Sequence, residues 1–168
     1  MKRLTLVRHA KSDWSVAGQP DWERPLNARG LKDAPDMGRR LRERKLKPDC
    51  ILTSPAARAL GTATLIAKEL GLPPDKLQQD ERLYHAAPAA VLEVIRELGG
   101  TSRHVMVVGH NPGLTEFADQ VALDRRIDHM PTCAVVTVAV DVRQWTDLDW
   151  SSGKDVELDY PRNADGPS

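Results

Sequence analysis

Apolar residues are arranged along this chain in two ways, as short unbroken runs and as longer stretches with apolar positions three and four apart. The runs are Leu4-Thr5-Leu6-Val7, Cys50-Ile51-Leu52-Thr53 and His104-Val105-Met106-Val107-Val108. Segments of that length and composition predict strands buried on both faces of a sheet. Cys133 to Val140 is strongly β-branched and predicts another strand. A last strand is expected near Val156 to Tyr160, pairing with it across the turn region Ser151-Ser152-Gly153. A short extended piece fits Leu77 to Gln79.

Helical spacing fills the intervals. Asn27 is placed to cap a helix running towards Lys45, with Leu31, Met37, Leu41 and Leu46 on its inner face and a kink or break at Pro35. Ser54 is placed to cap a second helix that begins at Pro55 and is closed by Gly71. Pro88 to Leu98 carries Val91, Leu92, Ile95 and Leu98 at helical spacing before the stop Gly99-Gly100. Asn111-Pro112 opens a fourth helix with Leu114, Phe117, Ala118 and Val121 on one side. Strands alternating with helices predict an α/β domain, a three-layer α/β/α arrangement around a mainly parallel central sheet with the final strands joining antiparallel. At 168 residues one domain is expected, spanning 1–161, with 162–168 a flexible C-terminal tail.

Overall composition removes several function classes. Lys plus Arg and Asp plus Glu number 24 each, so no net charge draws the chain to nucleic acid or an anionic membrane, and any positive field has to be local. Cys50 and Cys133 lack metal-ligand spacing and fit small core positions in a reducing compartment. The N-terminal apolar run stops at Val7, too short for a signal peptide or a membrane span. A soluble, cytoplasmic protein is expected.

Candidate chemistry is concentrated just after the strands, where open parallel sheets bind ligands. The first run ends in Arg8-His9, the second in Ser54-Pro55 with Arg58 a turn later, and the third in His110-Asn111-Pro112. Two guanidinium groups, two imidazoles and two helix N-termini at one sheet edge make a cationic pocket whose natural guest is a phosphoryl group. A neutral imidazole is also a competent nucleophile, so one histidine can attack while the other stabilises charge. The chain has no G-x-x-x-x-G-K-[ST] loop, H-E-x-x-H pair or G-x-S-x-G elbow, which leaves nucleotide-triphosphate, zinc-protease and serine-hydrolase chemistry without a motif. His104 and His129 are expected at the surface or a strand edge. Trp14 and Trp22 are expected to pack the long loop after the first strand, a loop able to wall the pocket.

Four stretches carry a resemblance. They are Leu6-Val7-Arg8-His9-Ala10-Lys11-Ser12, Glu23-Arg24-Pro25-Leu26-Asn27-x-x-Gly30, Ser54-Pro55-Ala56-x-Arg58-Ala59-x-x-Thr62-Ala63 and Gly109-His110-Asn111-Pro112. Together they resemble the histidine phosphatase superfamily (phosphoglycerate mutase-like), specifically its small SixA-like phosphohistidine phosphatase branch. The resemblance implies that fold without a large cap insertion, since one predicted helix and one predicted strand fill the interval from His85 to His110. It implies His9 as a nucleophile that becomes transiently phosphorylated, with Arg8, Arg58 and His110 holding the phosphoryl oxygens, and no metal or organic cofactor. Ser15 stands where many members carry Asn, and with Asn111 it is a candidate substrate contact. Members commonly supply a Glu proton donor after the third strand, where this chain has Leu83-Tyr84-His85-Ala86, so His85 becomes the candidate acid. The expected reaction is dephosphorylation of phosphohistidine on a protein, or of a small phosphoester or sugar phosphate, with release of inorganic phosphate. A phosphate-recognition module without turnover is the rival from another class.

Overall fold

The computed structural model describes all 168 residues. In chain order they form β1 (Lys2–Arg8), α1 (Ala28–Glu43), β2 (Cys50–Thr53), α2 (Ala57–Glu69), β3 (Leu77–Gln79), α3 (Pro88–Leu98), β4 (His104–Gly109), α4 (Gly113–Val121), β5 (Val135–Val140) and β6 (Gly153–Asp159). One six-stranded sheet has the order β3-β2-β4-β1-β5-β6. Its first four strands pair in parallel, and β5 and β6 join antiparallel. This is the mixed α/β architecture that the alternation predicts.

Period-two alternation on the central strands sorts the core into two layers. Val105 and Val107 of β4 pack with Leu4 and Leu6 against Val91, Leu92 and Ile95 of α3 and Leu114 and Phe117 of α4. Met106 and Val108 face the other way, with Val7 and Ile51 against Met37 and Leu41 of α1 and Ile66 of α2. Because β1 and β4 are covered on both faces, they read as continuous apolar runs.

Several local expectations are corrected. Helix α1 starts as predicted, the Asn27 side chain accepting from Gly30 N, but it runs unbroken through Pro35. Leu31, whose carbonyl would have met the missing Pro35 N–H, is 56% exposed rather than on the inner face, so water can reach that turn. Helix α2 begins at Ala57, two residues after Pro55, because the Ser54 hydroxyl accepts from Ala56 N and faces His110 instead of capping the helix. Trp14 and Trp22 are exposed, and the Arg24 guanidinium stacks 3.4 Å from the Trp14 ring centroid. Residues 162–168 fold back on the domain. Arg162 pairs with buried Asp33, and Leu158 and Ser168 exchange backbone hydrogen bonds. No helix is long and apolar enough to cross a membrane.

Candidate active site

Sheet register assembles the site. Arg8 pairs with Gly109 across β1 and β4, so His9 and His110 leave the sheet side by side, one residue past that pair. Their ring centroids are 5.2 Å apart. Thr53 pairs with Val108, which brings Ser54 out beside them, and Ser54 Oγ lies 2.7 Å from His110 Nε2. Arg58 sits in the first turn of α2 and is 2% exposed. Thus the four residues singled out at three strand ends converge at one sheet edge.

His9 has a defined tautomer. Its Nδ1 lies 2.7 Å from the Ala10 carbonyl, which can only accept, so Nδ1 carries the hydrogen and Nε2 keeps its lone pair. Burial lowers its pKa to about 4; the Ala10 hydrogen bond opposes this, and Arg58, Arg8 and Arg24 add to it. Burial also lowers His110 to about 3, helped by His9, Arg58 and His85. Both imidazoles are therefore neutral near pH 7. Ala10 N is held by Thr62 Oγ1, whose own hydroxyl donates to the Arg58 carbonyl, so the loop after β1 and the first turn of α2 are tied together.

Buried polar side-chain atoms are normally paired. The buried side-chain nitrogens without a partner in this molecule are Arg8 Nε, Arg58 Nε and His110 Nδ1, all in the same quartet. A tetrahedral oxyanion presents several acceptors to such donors at once.

Around the rim stand residues that the sequence reading did not assign. Asp21, in the short 3-10 turn Asp21–Glu23, accepts from Arg24 and Arg58, and its backbone carbonyl takes a second bond from Arg58. Its Oδ2 also accepts from Tyr84 Oη at 2.5 Å and lies 3.0 Å from His85 Nε2. His85 packs against His110, with ring centroids 4.8 Å apart, so the candidate acid does reach the pocket. The other two predicted contacts are not brought to it in the same way. Ser15 is exposed, with its N–H bound to Asp13. The Asn111 amide is engaged structurally, donating to the Met130 carbonyl that also receives Arg8, and accepting from Thr115. The available signal for Asp21 was an acid three residues before Arg24, with Glu23 between them, in a loop leading away from Arg8-His9. No group of three or more His, Cys, Asp or Glu side chains is arranged to hold a metal ion.

Comparison with known proteins agrees with this geometry. A sequence model of the histidine phosphatase superfamily (branch 1) matches residues 4–86. An uncharacterised protein of Mycobacterium tuberculosis is 32% identical over 165 residues, covering 93% of this chain and 100% of that protein. A 2,3-bisphosphoglycerate-dependent phosphoglycerate mutase of Bradyrhizobium sp. is 42% identical over 72 residues, a match covering 42% of this chain and 35% of the mutase. Among solved structures, an Agrobacterium tumefaciens chain assigned as phosphohistidine phosphatase SixA gives a TM-score of 0.74 at 27% identity, covering 83% of this chain and 92% of that one. The protein histidine phosphatase SixA complexed with tungstate gives 0.79 at 20% identity, covering 95% and 97%. The chain belongs to the histidine phosphatase superfamily, in its SixA-like branch.

Proposed function

We propose that this protein is a metal-independent phosphatase that works through a phosphohistidine intermediate on His9 and removes phosphoryl groups from phosphohistidine on proteins. His9 Nε2 attacks phosphorus, Arg8, Arg58 and His110 stabilise the oxygens, and water then releases inorganic phosphate. The observation that carries the choice of substrate is the state of the pocket's acid. Partial burial alone would raise the pKa of Asp21, but hydrogen bonds from Tyr84, His85, Arg24 and Arg58 hold it well below the usual carboxylate range, so it has no proton to give near neutrality. An alkyl phosphoester expels a strongly basic alkoxide and needs a positioned acid, worth about 10²–10⁴-fold. Phosphohistidine does not. Its second ring nitrogen takes a proton from water near neutral pH, and the departing group is then a neutral imidazole. The open rim fits the same reading, since only α3 and β4 lie between His85 and His110 and a side chain on a folded partner can enter. Tungstate bound to a SixA of this fold is an oxyanion of phosphate-like charge, which supports the anion assignment.

A small phosphoester is the second reading, favoured by the 72-residue match to the mutase. The deciding experiment mixes the protein with a phosphohistidine peptide and with a panel of alkyl and aryl phosphates in the presence of a chelator. Acid-labile phosphoenzyme and fastest turnover on the peptide are expected. Absence of phosphoenzyme, loss of turnover on chelation, or preference for an alkyl phosphate would each refute part of the reading.

A further inference from the structure

Contacts around Asp21 assign it a task that the quartet does not perform. Its carboxylate is ionised and can only accept, so the His85 Nε2 facing it at 3.0 Å carries a hydrogen. The neutral His85 ring therefore keeps its lone pair on Nδ1. His85 also has a backbone φ of 48°, in the left-handed region that residues other than glycine rarely occupy. Such a conformation persists where surrounding contacts over-determine it. Here Tyr84, the preceding residue, bonds to the same carboxylate oxygen as His85. The following turn is clamped at Ala86, whose carbonyl approaches Gly113 so closely that a Cβ there would lie 1.7 Å away.

We propose that Asp21 is the positioning residue of the hydrolytic half-reaction, fixing the tautomer of His85 so that Nδ1 is the atom free to take the proton of the attacking water. The inference rests on the phosphohistidine reading above. In the phosphoenzyme, water oxygen bonds to phosphorus, the bond from phosphorus to His9 Nε2 breaks with its electron pair returning to nitrogen, and the water proton passes to His85 Nδ1. The products are hydrogen phosphate, neutral His9 and a His85 imidazolium whose Nε2–H remains on Asp21. That imidazolium returns its proton to solvent before the next turnover. A carboxylate that sets the tautomer of a proton-transferring histidine is the logic of the serine-protease triad on an unrelated fold.

The test has two arms. In wild-type protein, ¹⁵N spectra should show the His85 ring protonated at Nε2 in its neutral form; protonation at Nδ1 instead would overturn the inference without reference to turnover. In the second arm, preformed phosphoenzyme is allowed to decay. Asp21→Asn and His85→Ala should each slow decay by about 10²-fold, and the double variant should decay no more slowly than His85→Ala alone. Additive slowing, or decay at the wild-type rate in Asp21→Asn, would show that Asp21 does not act through His85. Vanadate inhibition of Asp21→Asn reports separately on Arg58, whose two terminal nitrogens both bond to Asp21. Failure of wild-type protein to form phosphoenzyme would remove the parent reading while leaving the spectral result standing.

Discussion

Strand β4 carries a histidine at each end, and the two are built alike. At the N-terminal end His104 Nε2 lies 2.6 Å from Thr5 Oγ1, and just past the C-terminal end His110 Nε2 lies 2.7 Å from Ser54 Oγ. Both are buried, and burial lowers one to about 4 and the other to about 3. A depressed imidazole facing a hydroxyl therefore does not mark a functional site. What differs is the company. His104 is held by its own neighbourhood, its backbone N–H donating to Asp49 Oδ2 and its ring nitrogen Nε2 paired with Thr5. His110 leaves Nδ1 unpartnered and is in ring contact with His9, Tyr84 and His85. Convergence of unsatisfied groups, not the shift of any one of them, separates chemistry from packing.

The largest effects should come from testing that separation directly. His9→Ala is expected to abolish phosphoenzyme and lower turnover by at least about 10⁴-fold, as loss of a nucleophile does in other covalent catalysts. His110→Ala should lower kcat by about 10²–10³-fold, the usual cost of one stabilising donor. His104→Ala should leave turnover per folded molecule unchanged while lowering stability by about 1–3 kcal/mol, because Thr5 is left buried without its partner. Single-turnover rates with parallel urea denaturation check all three. A loss of turnover in His104→Ala matching that in His110→Ala would break the comparison.

A pair of glycines sharpens it with a smaller effect. A Cβ on Gly113, at the start of α4, would stand 1.7 Å from the Ala86 carbonyl, and one on Gly99, at the end of α3, would stand 2.3 Å from the buried Trp145 ring. Each substitution by alanine overpacks the fold and should cost about 1–3 kcal/mol. Only Gly113→Ala displaces the segment that carries His85, so it should also lower kcat by about 10²-fold, the scale associated with a 1 Å misplacement. Gly99 lies near the His104 end, where Trp145 Nε1 donates to the Ser102 carbonyl, and Gly99→Ala should cost stability alone. Thermal denaturation alongside kcat measures both, and equal kcat losses would mean that the two ends are mechanically coupled.

How far all this was legible depended on whether a feature had a local signature. Strands and helices were readable because β1 and β4 are apolar on both faces and α3 and α4 show helical spacing. Arg8, His9, Arg58 and His110 were readable because each stands at or shortly after a strand end, so topology brings them together. Asp21 was not, since beyond nearby Arg24 its partners Arg58, Tyr84 and His85 lie 37 to 64 residues away along the chain and no periodicity links them to it. The burial of His104 was misread for a related reason. Only the register that places Arg3 opposite His104 brings Thr5 within reach of its ring. At Pro35 and Ser54 local propensity gave way to tertiary contacts: α1 is held by buried Met37 and Leu41, and the expected cap oxygen of Ser54 faces an imidazole.

The smallest effect separates the two ends by pH. An imidazole whose pKa falls on folding is neutral in the native state at a pH where the unfolded chain, titrating near about 6.5, has begun to bind a proton. Protons then favour the unfolded state, so the stability contributed by neutral burial is complete above about pH 6.5 and is lost as pH falls towards the folded value. His9 and His104, both lowered to about 4, and His110, lowered to about 3, all act in this sense. Between about pH 6.5 and 4.5 each should contribute a slope of at most about 1.4 kcal/mol per pH unit, in a window above the usual carboxylate range. His104→Gln keeps an amide that can bond to Thr5 but removes one titrating group, so its unfolding free energy should fall less steeply than that of the wild type over this window. Saturating vanadate should protect the other end instead. An anion that binds only the folded pocket raises stability by mass action in wild type and in His104→Gln alike, without restoring the slope that His104 contributes. Urea denaturation at half-unit pH steps, with and without vanadate, measures the four curves. Parallel slopes for wild type and His104→Gln would mean that His104 is not buried neutral, and the likeness between the two ends of β4 would then fail at its structural member.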